Sequence, residues 1–432
     1  MSGEDTPFRQ SAERESARDA ATAVARALLD AGHIAYFAGG CVRDSFRGDE
    51  PKDFDIATSA TPEDIKRVFP KARGVGEAFG VMLVRRAGYT VEVATFREDL
   101  AYIDGRRPTG VRFADARADA ARRDFTINGM FREPLTGEIV DFVRGQDDLQ
   151  AGIVRAIGDP HARIAEDRLR MLRAVRFAAR FGFRIEPQTR AAVEAHASEL
   201  TMVSRERIGD EVRRMMQHPS RARAASMLEE LGLSSAIFET NPVSNPVSTV
   251  SWVRLVALPN EITAVEALAA WMLDRLSAES HCEQPRQTQS ACEELARRVR
   301  CALVLSNDES TLFQAILDRR EEFLGWDEAR PLAARVRLAA RLGTDGALRI
   351  LAAEKSDLGT RWQARLDLEC PSRALPQPIL GGDDLIAAGY RPSSLFRVWL
   401  DAALDAQIEG QIASKEQALQ FVRSLSGATV LP

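Results

Sequence analysis

Strand-like patterns are confined to the first third of this 432-residue chain, and from about residue 147 onward every periodic segment is typical of a helix. The strand-like segments are "HIAYF", "DFDIAT" and "GVMLVRRAGYTVEVATFR", and they alternate with helical segments at residues 11–31 and 61–69. The length exceeds what one ordinary core supports and suggests about three domains. The sequence therefore predicts an α+β fold, in which a small mixed sheet with helices precedes an all-α remainder.

Local signals set the expected bounds of several elements. The first helix is predicted to end at Gly32, and Thr61 with Pro62 marks the start of another helix. Residues 80–97 are predicted to form a β-hairpin that turns at Ala87-Gly88, and the polar residues 97–113 a mobile loop. The clearest helix is predicted to run from about 160 to 181 and to end at Gly182. Its apolar, packed side consists of Ile164, Leu172, Val175 and Ala179.

The net charge of −5 conceals a basic segment. Residues 151–223 contain fifteen arginines, no lysine and nine carboxylates, which gives a local charge of +6. Because guanidinium groups are planar forks that match phosphates and base edges, this segment indicates a nucleic-acid or nucleotide partner. A helix surface of solvated ion pairs is the alternative. No window approaches about 18 uninterrupted apolar residues, so no membrane span is predicted and the protein is expected to be cytoplasmic.

Asp53 and Asp55 stand two positions apart in "DFDIAT". On a strand this spacing puts both carboxylates on one face, while Phe54 points to the other. Neighbouring anions favour a hard divalent cation such as Mg²⁺, although a bare Asp-x-Asp pair is also typical of an exposed turn. Glu92 alternates with Val91 and Val93 in the same way, so three carboxylates converge if the hairpin pairs beside the Asp strand.

Two further patterns are suited to a nucleotide. Gly39-Gly40 permits positive φ angles and exposed backbone N–H groups at the mouth of a short helix, and Arg43 lies one turn into that helix. On the predicted helix over 160–181, four charged residues recur every third position and can offer an acceptor and donors to a base edge: Asp167, Arg170, Arg173 and Arg176. A self-neutralising helix surface is the alternative reading of this row.

Five motifs in this order resemble the class II tRNA nucleotidyltransferase and bacterial poly(A) polymerase family of the polymerase-β-like superfamily. They are "GGCVRDSFRG" with "DFDIAT", "VEVATFRED" with "YIDGRRP", "RRDFTINGMF", "EDRLRMLRAVRFAARFGFRI", and "SRERIGDEVRRMM" with "MLEELGL". They cover residues 34 to about 238 nearly continuously. The segment that begins at "GGDDLIAAGYRPSSLF" more weakly resembles the tRNA-contacting C-terminal region of that family.

The resemblance implies roles for individual residues. Asp53 and Asp55 match the metal-binding carboxylates, with Mg²⁺ as the cofactor, and Glu92 matches the third catalytic acid. Gly39, Gly40 and Arg43 match the turn that binds the triphosphate. The remaining nucleotide-binding positions are Arg123 and Asp124, near the sugar, Asp167 and Arg170, which read the base, and Arg173 and Arg176.

The resemblance also implies four domains and an activity. The expected domains are a nucleotidyltransferase head at 11–146, a base-reading, RNA-binding neck at 147–223, a helical body at 224–366 and a tRNA-binding tail at 367–432. The expected enzyme adds CCA to the 3′ end of tRNA from CTP and ATP without a template and releases pyrophosphate, with tRNA held at its acceptor stem and elbow.

Other members of the same fold leave alternatives open. A poly(A) polymerase or an A-adding enzyme has the same motifs, and a catalytically inactive RNA-binding protein is a more remote possibility. The full-length segment at 97–113 favours CCA or A addition over CC addition, because relatives that add only CC have a shortened loop there. "YRPSSLF" departs from the Pro-Gly-Pro step that is usual in the family's tail.

Overall fold

The computed structural model describes residues 16–75, 79–100, 110–239, 251–280, 288–325, 327, 329–354 and 357–426. The chain divides into two units, Met1–Glu211 with Met227–Pro242, and Val212–Ser226 with Val243–Pro432. Within the described ranges, no helix has both the length and the apolar character needed to cross a membrane.

Up to residue 238 the chain alternates strands and helices and then becomes helical. The strands are β1 (Ala35–Ala38), β2 (Asp55–Thr58), β3 (Arg73–Gly74), β4 (Val81–Arg86), β5 (Tyr89–Thr95), β6 (Arg97–Asp99), β7 (Val111–Phe113), β8 (Phe131–Arg132), β9 (Ile139–Val140), β10 (Ile153–Val154) and β11 (Arg184–Ile185). The helices are α1 (Ala17–Asp30), α2 (Gly40–Phe46), α3 (Pro62–Val68), α4 (Ala116–Ala121), α5 (Gly145–Ala151), α6 (Pro160–Glu166), α7 (Arg170–Phe181), α8 (Pro187–His196), α9 (Arg205–Met216), α10 (Arg221–Glu230) and α11 (Leu233–Phe238). Two 3₁₀ helices span Thr126–Asn128 and Ala197–Met202.

A seven-stranded sheet forms the centre of the first unit in its described part. The strand order is β3-β4-β5-β2-β1-β8-β9, and β2 with β5 is the parallel pair among antiparallel neighbours. Helix α1 packs on strands β1, β2, β4 and β5 through an apolar stripe that includes Val24 and Leu28. A second cluster, around Ala57, Phe96 and Phe131, is joined by apolar residues of α4.

Several elements confirm the sequence predictions because their signals are local. The hairpin of β4 and β5 turns at Ala87-Gly88, where both residues have positive φ. Helix α3 begins after Thr61, which accepts a hydrogen bond from the backbone N–H of Asp64 in a capping box, with Pro62 in the first turn. Helix α7 ends at Gly182 in the left-handed conformation, as predicted.

The prediction of a single helix over 160–181 is wrong, because the helix is interrupted between α6 and α7. Asp167 ends α6 with extended backbone angles, φ −148° and ψ 101°, and its Oδ1 accepts the backbone N–H of Leu169 at 3.1 Å. An Asp side chain that bonds its own backbone two residues on competes with helix continuation. The periodicity survives this break, and Ile164, Leu172, Val175 and Ala179 are all buried.

Three other predictions need correction. The loop over 97–113 has ordered ends, since β6 and β7 pair antiparallel, and residues 101–109 lie outside the described residues. Strand β2 begins at Asp55, so Asp53 precedes the strand instead of forming part of it. The first helix begins at Ala17, and residues before Ser16 are outside the described residues.

The second unit is helical throughout its described part. From residue 251 the helices are α12 (Val253–Ala257), α13 (Ala264–Ser280), α14 (Gln289–Leu303), α15 (Asn307–Leu324), α16 (Leu332–Ala339), α17 (Thr344–Ala353), α18 (Asp357–Glu369), α19 (Gly382–Ala387), α20 (Leu395–Ile408) and α21 (Lys415–Ser426). Phe323 and Trp362 lie in one apolar core, with ring centroids 5.5 Å apart, while Leu385 and Val422 belong to another. The helical remainder predicted from the sequence is therefore confirmed for the described residues from 251 onward, whereas the predicted all-α region at 147–223 contains the short parallel pair of β10 and β11.

Candidate functional site

A cleft of about 640 Å³ is lined by residues of β1, β2, β4 and β5 and by one side of α7 from Arg170 to Arg180. Eight arginines and five carboxylates line it, so it is polar and has a net positive lining. These charged residues are Arg43, Arg97, Arg122, Arg123, Arg170, Arg173, Arg176 and Arg180, together with Asp55, Glu92, Asp99, Asp124 and Asp167. Gly39 and Gly40 also line the cleft, which thus gathers every predicted site residue except Asp53.

The carboxylates of Asp55 and Glu92 meet because β2 and β5 are parallel neighbours. The register pairs Ile56 with Val93, so the residues one position earlier share the opposite face, toward the cleft. Desolvation by the cleft walls, followed by the charges of Glu92 and Asp53, raises the pKa of Asp55 to about 6. Burial and the neighbouring anions thus disfavour the ionised form of Asp55 when no cation is bound.

Asp53 is exposed and lies just before β2. It is near enough for its charge to contribute to the raised pKa of Asp55. Across the described ranges, no group of three or more His, Cys, Asp or Glu side chains is assembled for a metal ion. Of the three carboxylates predicted to converge, Asp55 and Glu92 line the cleft and Asp53 lies nearby. Carboxylate oxygens under mutual repulsion are nevertheless the donor chemistry that a hard divalent cation requires.

The glycine turn places backbone and guanidinium groups at one wall of the cleft. Gly39 has φ 71° and ψ −124°, and a Cβ there would lie 3.3 Å from Nη1 of Arg123. The backbone angles favour glycine, and a Cβ would also crowd the guanidinium of Arg123. Arg43 follows in α2 and is buried, with its Nη1 donating to Oδ1 of Asn128 at 2.6 Å and its guanidinium 4.7 Å from the ring centroid of Phe181.

Arg123 and Asp124 are held by a network behind the cleft wall. Arg123 donates through Nε and Nη2 to the buried Asp119, and Asp124 accepts from Nδ2 of Asn128 at 3.0 Å. Arg173 donates from Nε and Nη2 to Oδ2 of Asp124 at 2.8 and 2.6 Å. Burial alone would raise the pKa of Asp124, but the charge of Arg173 and these hydrogen bonds outweigh it and hold the pKa below its ordinary value.

Asp167 and Arg170 both line the cleft but are not paired with each other through their side chains. Oδ2 of Asp167 accepts a hydrogen bond from Nη2 of Arg207 at 2.8 Å. Arg170 donates from Nη1 to the carbonyl of Arg163 and to the carboxylate of Glu166, at 2.8 and 2.7 Å. The relative position of Asp167 and Arg170 is therefore set by the interruption between α6 and α7, and not by a continuous helix face.

Arg173 and Arg176 share a buried carboxylate. Nε of Arg176 lies 2.5 Å from Oε2 of Glu211, and Nη1 of Arg173 lies 3.9 Å from the other carboxylate oxygen. The guanidinium of Arg176 also lies 4.2 Å from the ring centroid of Phe177. Neither arginine is free in solvent, so each presents a fixed direction to the cleft.

Sequence reasoning missed the residues that support the cleft. Asn128 and Asp119 connect the turn, Arg123 and Asp124, while Arg207 and Glu211 support the α7 row. A carboxylate on the apolar side of a short helix, as in α4 at Asp119, is a signal that could have been followed, because a buried acid needs a partner. Arg207 contacts Asp167, 40 positions away, and Glu211 contacts Arg176, 35 positions away, so no local sequence pattern encodes these contacts.

Comparison with known proteins gives two matching family models and several relatives. Residues 35–155 match the Poly A polymerase head domain, and residues 182–242 match the Probable RNA and SrmB-binding site of polymerase A. The CCA-adding enzyme of Bacillus subtilis is 40% identical over 220 residues, which is 51% of this chain and 54% of that protein. That of Lacticaseibacillus paracasei is 44% identical over 198 residues, 46% of this chain and 50% of that protein. The alignments thus span about half the length of the curated relatives.

Solved structures resemble the chain over nearly its whole length. The Bacillus stearothermophilus CCA-adding enzyme in complex with CTP has a TM-score of 0.76 and 26% identity, covering 95% of this chain and 98% of that one. The Thermotoga maritima CCA-adding enzyme complexed with tRNA has a TM-score of 0.63 at 18% identity, covering 94% of each chain, and shows the fold alone.

The sheet, the cleft and the matched head model define a polymerase head domain of the poly(A) polymerase type, followed by a helical region. The resemblance inferred from the motifs is confirmed on this point. By these comparisons the chain is similar to class II CCA-adding enzymes and to the poly(A) polymerase head domain, and its alignments span about half the length of the curated relatives.

Proposed function

We propose that this protein is a CCA-adding tRNA nucleotidyltransferase, which transfers CMP and AMP from CTP and ATP to the 3′ end of tRNA and releases pyrophosphate. The observation that carries the proposal is the single cleft that combines Asp55, Glu92 and the glycine turn with the arginine row of α7. The similarity over 98% of an enzyme solved with CTP supports the same reading.

The donor set fits Mg²⁺ as the cofactor. Asp53 and Asp55 would hold it, because the raised pKa of Asp55 marks an unmet demand for positive charge and carboxylate oxygens are the ligands Mg²⁺ prefers. When bound, divalent metal supplies activation of a hydroxyl nucleophile and charge stabilisation at phosphate. Glu92 adds a third anion to the same side of the cleft.

The residues of the chain have binding and orienting roles in this proposal. Backbone N–H groups at Gly39 and Gly40, with Arg43, bind the triphosphate and stabilise the charge that accumulates on the departing pyrophosphate. Arg123 and Asp124 contact the nucleotide near its sugar. Asp167 accepts from and Arg170 donates to the base edge, and protein hydrogen bonds thereby replace a template.

The RNA partner is assigned to the helical regions. We propose a head at 11–146, a neck at 147–223, a body at 224–366 and a tail at 367–432, with tRNA bound by the basic neck and by the tail. The local charge of +6 at 151–223 supports phosphate binding there. We also retain the prediction that the protein is cytoplasmic, because tRNA and both nucleotides are found in that compartment.

Nucleotide addition by the purified protein tests the proposal. A tRNA transcript that ends before CCA is incubated with CTP alone, ATP alone and both, in Mg²⁺ and in excess EDTA. We expect CMP addition with CTP alone, complete CCA with both, and nothing in EDTA. Addition of AMP alone to unrelated RNA, without use of CTP, would instead identify a poly(A) polymerase or A-adding enzyme.

Two variants separate chemistry from RNA binding. Asp53→Ala and Asp55→Asn are expected to abolish addition while leaving tRNA affinity within about twofold of the wild type, because neither residue is on the basic segment. Glu138→Gln, an exposed carboxylate in the same unit, is the matched control and should retain full activity. Full activity of Asp55→Asn would overturn the metal site, and tRNA binding without any transfer by the wild type would favour an inactive RNA-binding protein.

A further inference from the structure

Asp167, the proposed base-reading acceptor, is oriented through both of its carboxylate oxygens. Oδ1 accepts the backbone N–H of Leu169 at 3.1 Å, and Oδ2 accepts Nη2 of Arg207 at 2.8 Å. A carboxylate has about four lone-pair sites, so these two bonds leave acceptor capacity for a ligand in the cleft. The side-chain plane is therefore fixed while the group can still accept further hydrogen bonds.

Arg207 is the part of this arrangement that lies on another helix. The bond to Leu169 is local, whereas Arg207 lies on α9, 40 residues along the chain. Both side chains are largely buried, with 23% of Arg207 and 19% of Asp167 exposed. At this degree of burial an ion pair with hydrogen-bonding geometry is screened less than a surface pair, and it holds its partner more firmly.

Helix α9 carries a charge pattern that is complementary to the cleft residues. Arg207 and Glu211 are four positions apart and so lie on one face of the helix. Arg207 contacts the anion Asp167, and Glu211 contacts the cations Arg173 and Arg176. Buried Ile208 and Val212 pack the helix against its surroundings. Helix α9 thus places a side chain of opposite charge against Asp167, Arg173 and Arg176.

We propose that Arg207 is a specificity-determining positioning residue, which acts through Asp167 and touches neither the nucleotide nor the RNA. This inference rests on the proposed function, since it assigns Arg207 to the base-reading side of the same cleft. Base choice by hydrogen bonds requires an acceptor at one place and in one orientation. With Arg207 removed, Asp167 keeps its local bond but can rotate, and a wrong base edge is then accepted more readily.

Steady-state kinetics of Arg207→Gln tests this role on tRNA that lacks CCA. Loss of a charge-assisted hydrogen bond behind the acceptor is expected to raise KM for CTP about tenfold, with kcat within about threefold. The ratio of UMP to CMP incorporation should also rise by about tenfold, because an oriented acceptor is what rejects the wrong edge. Arg207→Lys keeps the charge but not the planar fork and should give intermediate values.

The matched control is Arg85→Gln, an exposed arginine on β4 of the same unit, outside the cleft and the basic segment, which should leave KM and the incorporation ratio unchanged. A purely structural role of Arg207 would lower the active fraction, and so reduce kcat for every nucleotide equally with KM and selectivity preserved. That result, or wild-type KM and selectivity in Arg207→Gln, would overturn the proposal. The incorporation ratio does not depend on the active fraction, so partial misfolding does not obscure it.

CTP affinity distinguishes failure of this proposal from failure of the proposed function. If the wild type transfers no nucleotide, the proposed function fails, and calorimetric titration with CTP still measures the effect of Arg207. About tenfold weaker CTP binding by Arg207→Gln than by the wild type and Arg85→Gln would support positioning of the site. Equal binding by all three proteins, or no CTP binding by the wild type, would refute it.

Discussion

Replacement of Asp55 by Asn is expected to stabilise the metal-free protein while it abolishes nucleotide transfer. The fold raises the pKa of this carboxyl from 3.8 to about 6. At 1.36 kcal/mol per pKa unit, ionisation of Asp55 in the folded state costs at most about 3 kcal/mol. Because the side chain keeps solvent contact, screening reduces the cost to about 1 kcal/mol. Asn has a similar shape and no charge, so it avoids this cost.

The sign of the effect depends on pH. A carboxyl with a raised pKa in the folded state binds protons more tightly there than in the unfolded state, so stability falls as pH rises between 3.8 and about 6. The destabilisation is absent below the unfolded pKa and fully present above the folded one. The stability advantage of Asp55→Asn should therefore be near zero at about pH 4 and reach about 1 kcal/mol at about pH 8.

Thermal unfolding in EDTA measures this difference. About 1 kcal/mol corresponds to a rise of about 2–4 °C in the Tm of the transition that contains the N-terminal unit. Mg²⁺ should stabilise the wild type more than Asp55→Asn, since only the wild type has both carboxylates. Glu138→Gln removes an exposed charge from the same unit and should change neither Tm nor its pH dependence. Equal Tm values for Asp55→Asn and the wild type at about pH 8, or the same offset at both pH values, would refute the electrostatic argument.

Three further predictions concern the same unit. Gly39→Ala should lower the free energy of unfolding by about 1–2 kcal/mol and impair CTP binding, because the backbone has φ 71° and the new Cβ would meet Arg123. The control Gly48→Ala has φ 85° but open space around the new Cβ, so it should cost only the backbone strain of about 1 kcal/mol and leave CTP affinity unchanged. Asp119→Asn should cost about 2 kcal/mol in urea unfolding and raise KM for the nucleotides, because it removes the buried carboxylate that holds Arg123; wild-type stability would contradict this role. The Mg²⁺ concentration that gives half-maximal activity should rise as pH drops through about 6, because a proton then competes with the metal for Asp55; a requirement that stays constant between about pH 7 and about pH 5 would show that Asp55 does not hold the metal.

The parts of the fold that the sequence predicts are those with local physical causes. Alternation of apolar residues and the Ala87-Gly88 turn specify the β4–β5 hairpin, and the capping box at Thr61 specifies the start of α3. The parallel pairing of β2 with β5 is not local, yet the position of Glu92 on its strand indicated the outcome. The meeting of Asp55 and Glu92 was therefore predictable from strand periodicity, on the assumption that the hairpin pairs beside β2.

The support of the arginine row was not predictable in this way. A helical repeat continues across the break at Asp167 with its apolar positions still buried, so the pattern is the same for one helix and for two. Only the hydrogen bond from Leu169 to Asp167 distinguishes them, and Asp in a helical pattern is too common to signal it. Charge partners such as Glu211 are equally hidden, since opposite charges are abundant throughout the chain.

If the cleft binds a nucleoside triphosphate as proposed, its charge balance limits what the arginines alone contribute. Arg173 is bonded to Asp124, Arg176 to Glu211 and Arg123 to Asp119, so much of the positive charge that lines the cleft is already compensated by the protein. Such pairs fix the direction of each guanidinium at the expense of net attraction for phosphate. Around Asp55, burial and the charges of Glu92 and Asp53 raise the pKa, so positive charge is short there as well. In the proposed function, a divalent cation bound with the nucleotide would add positive charge beside Asp55, and the arginines would then orient a ligand whose charge they do not have to neutralise alone.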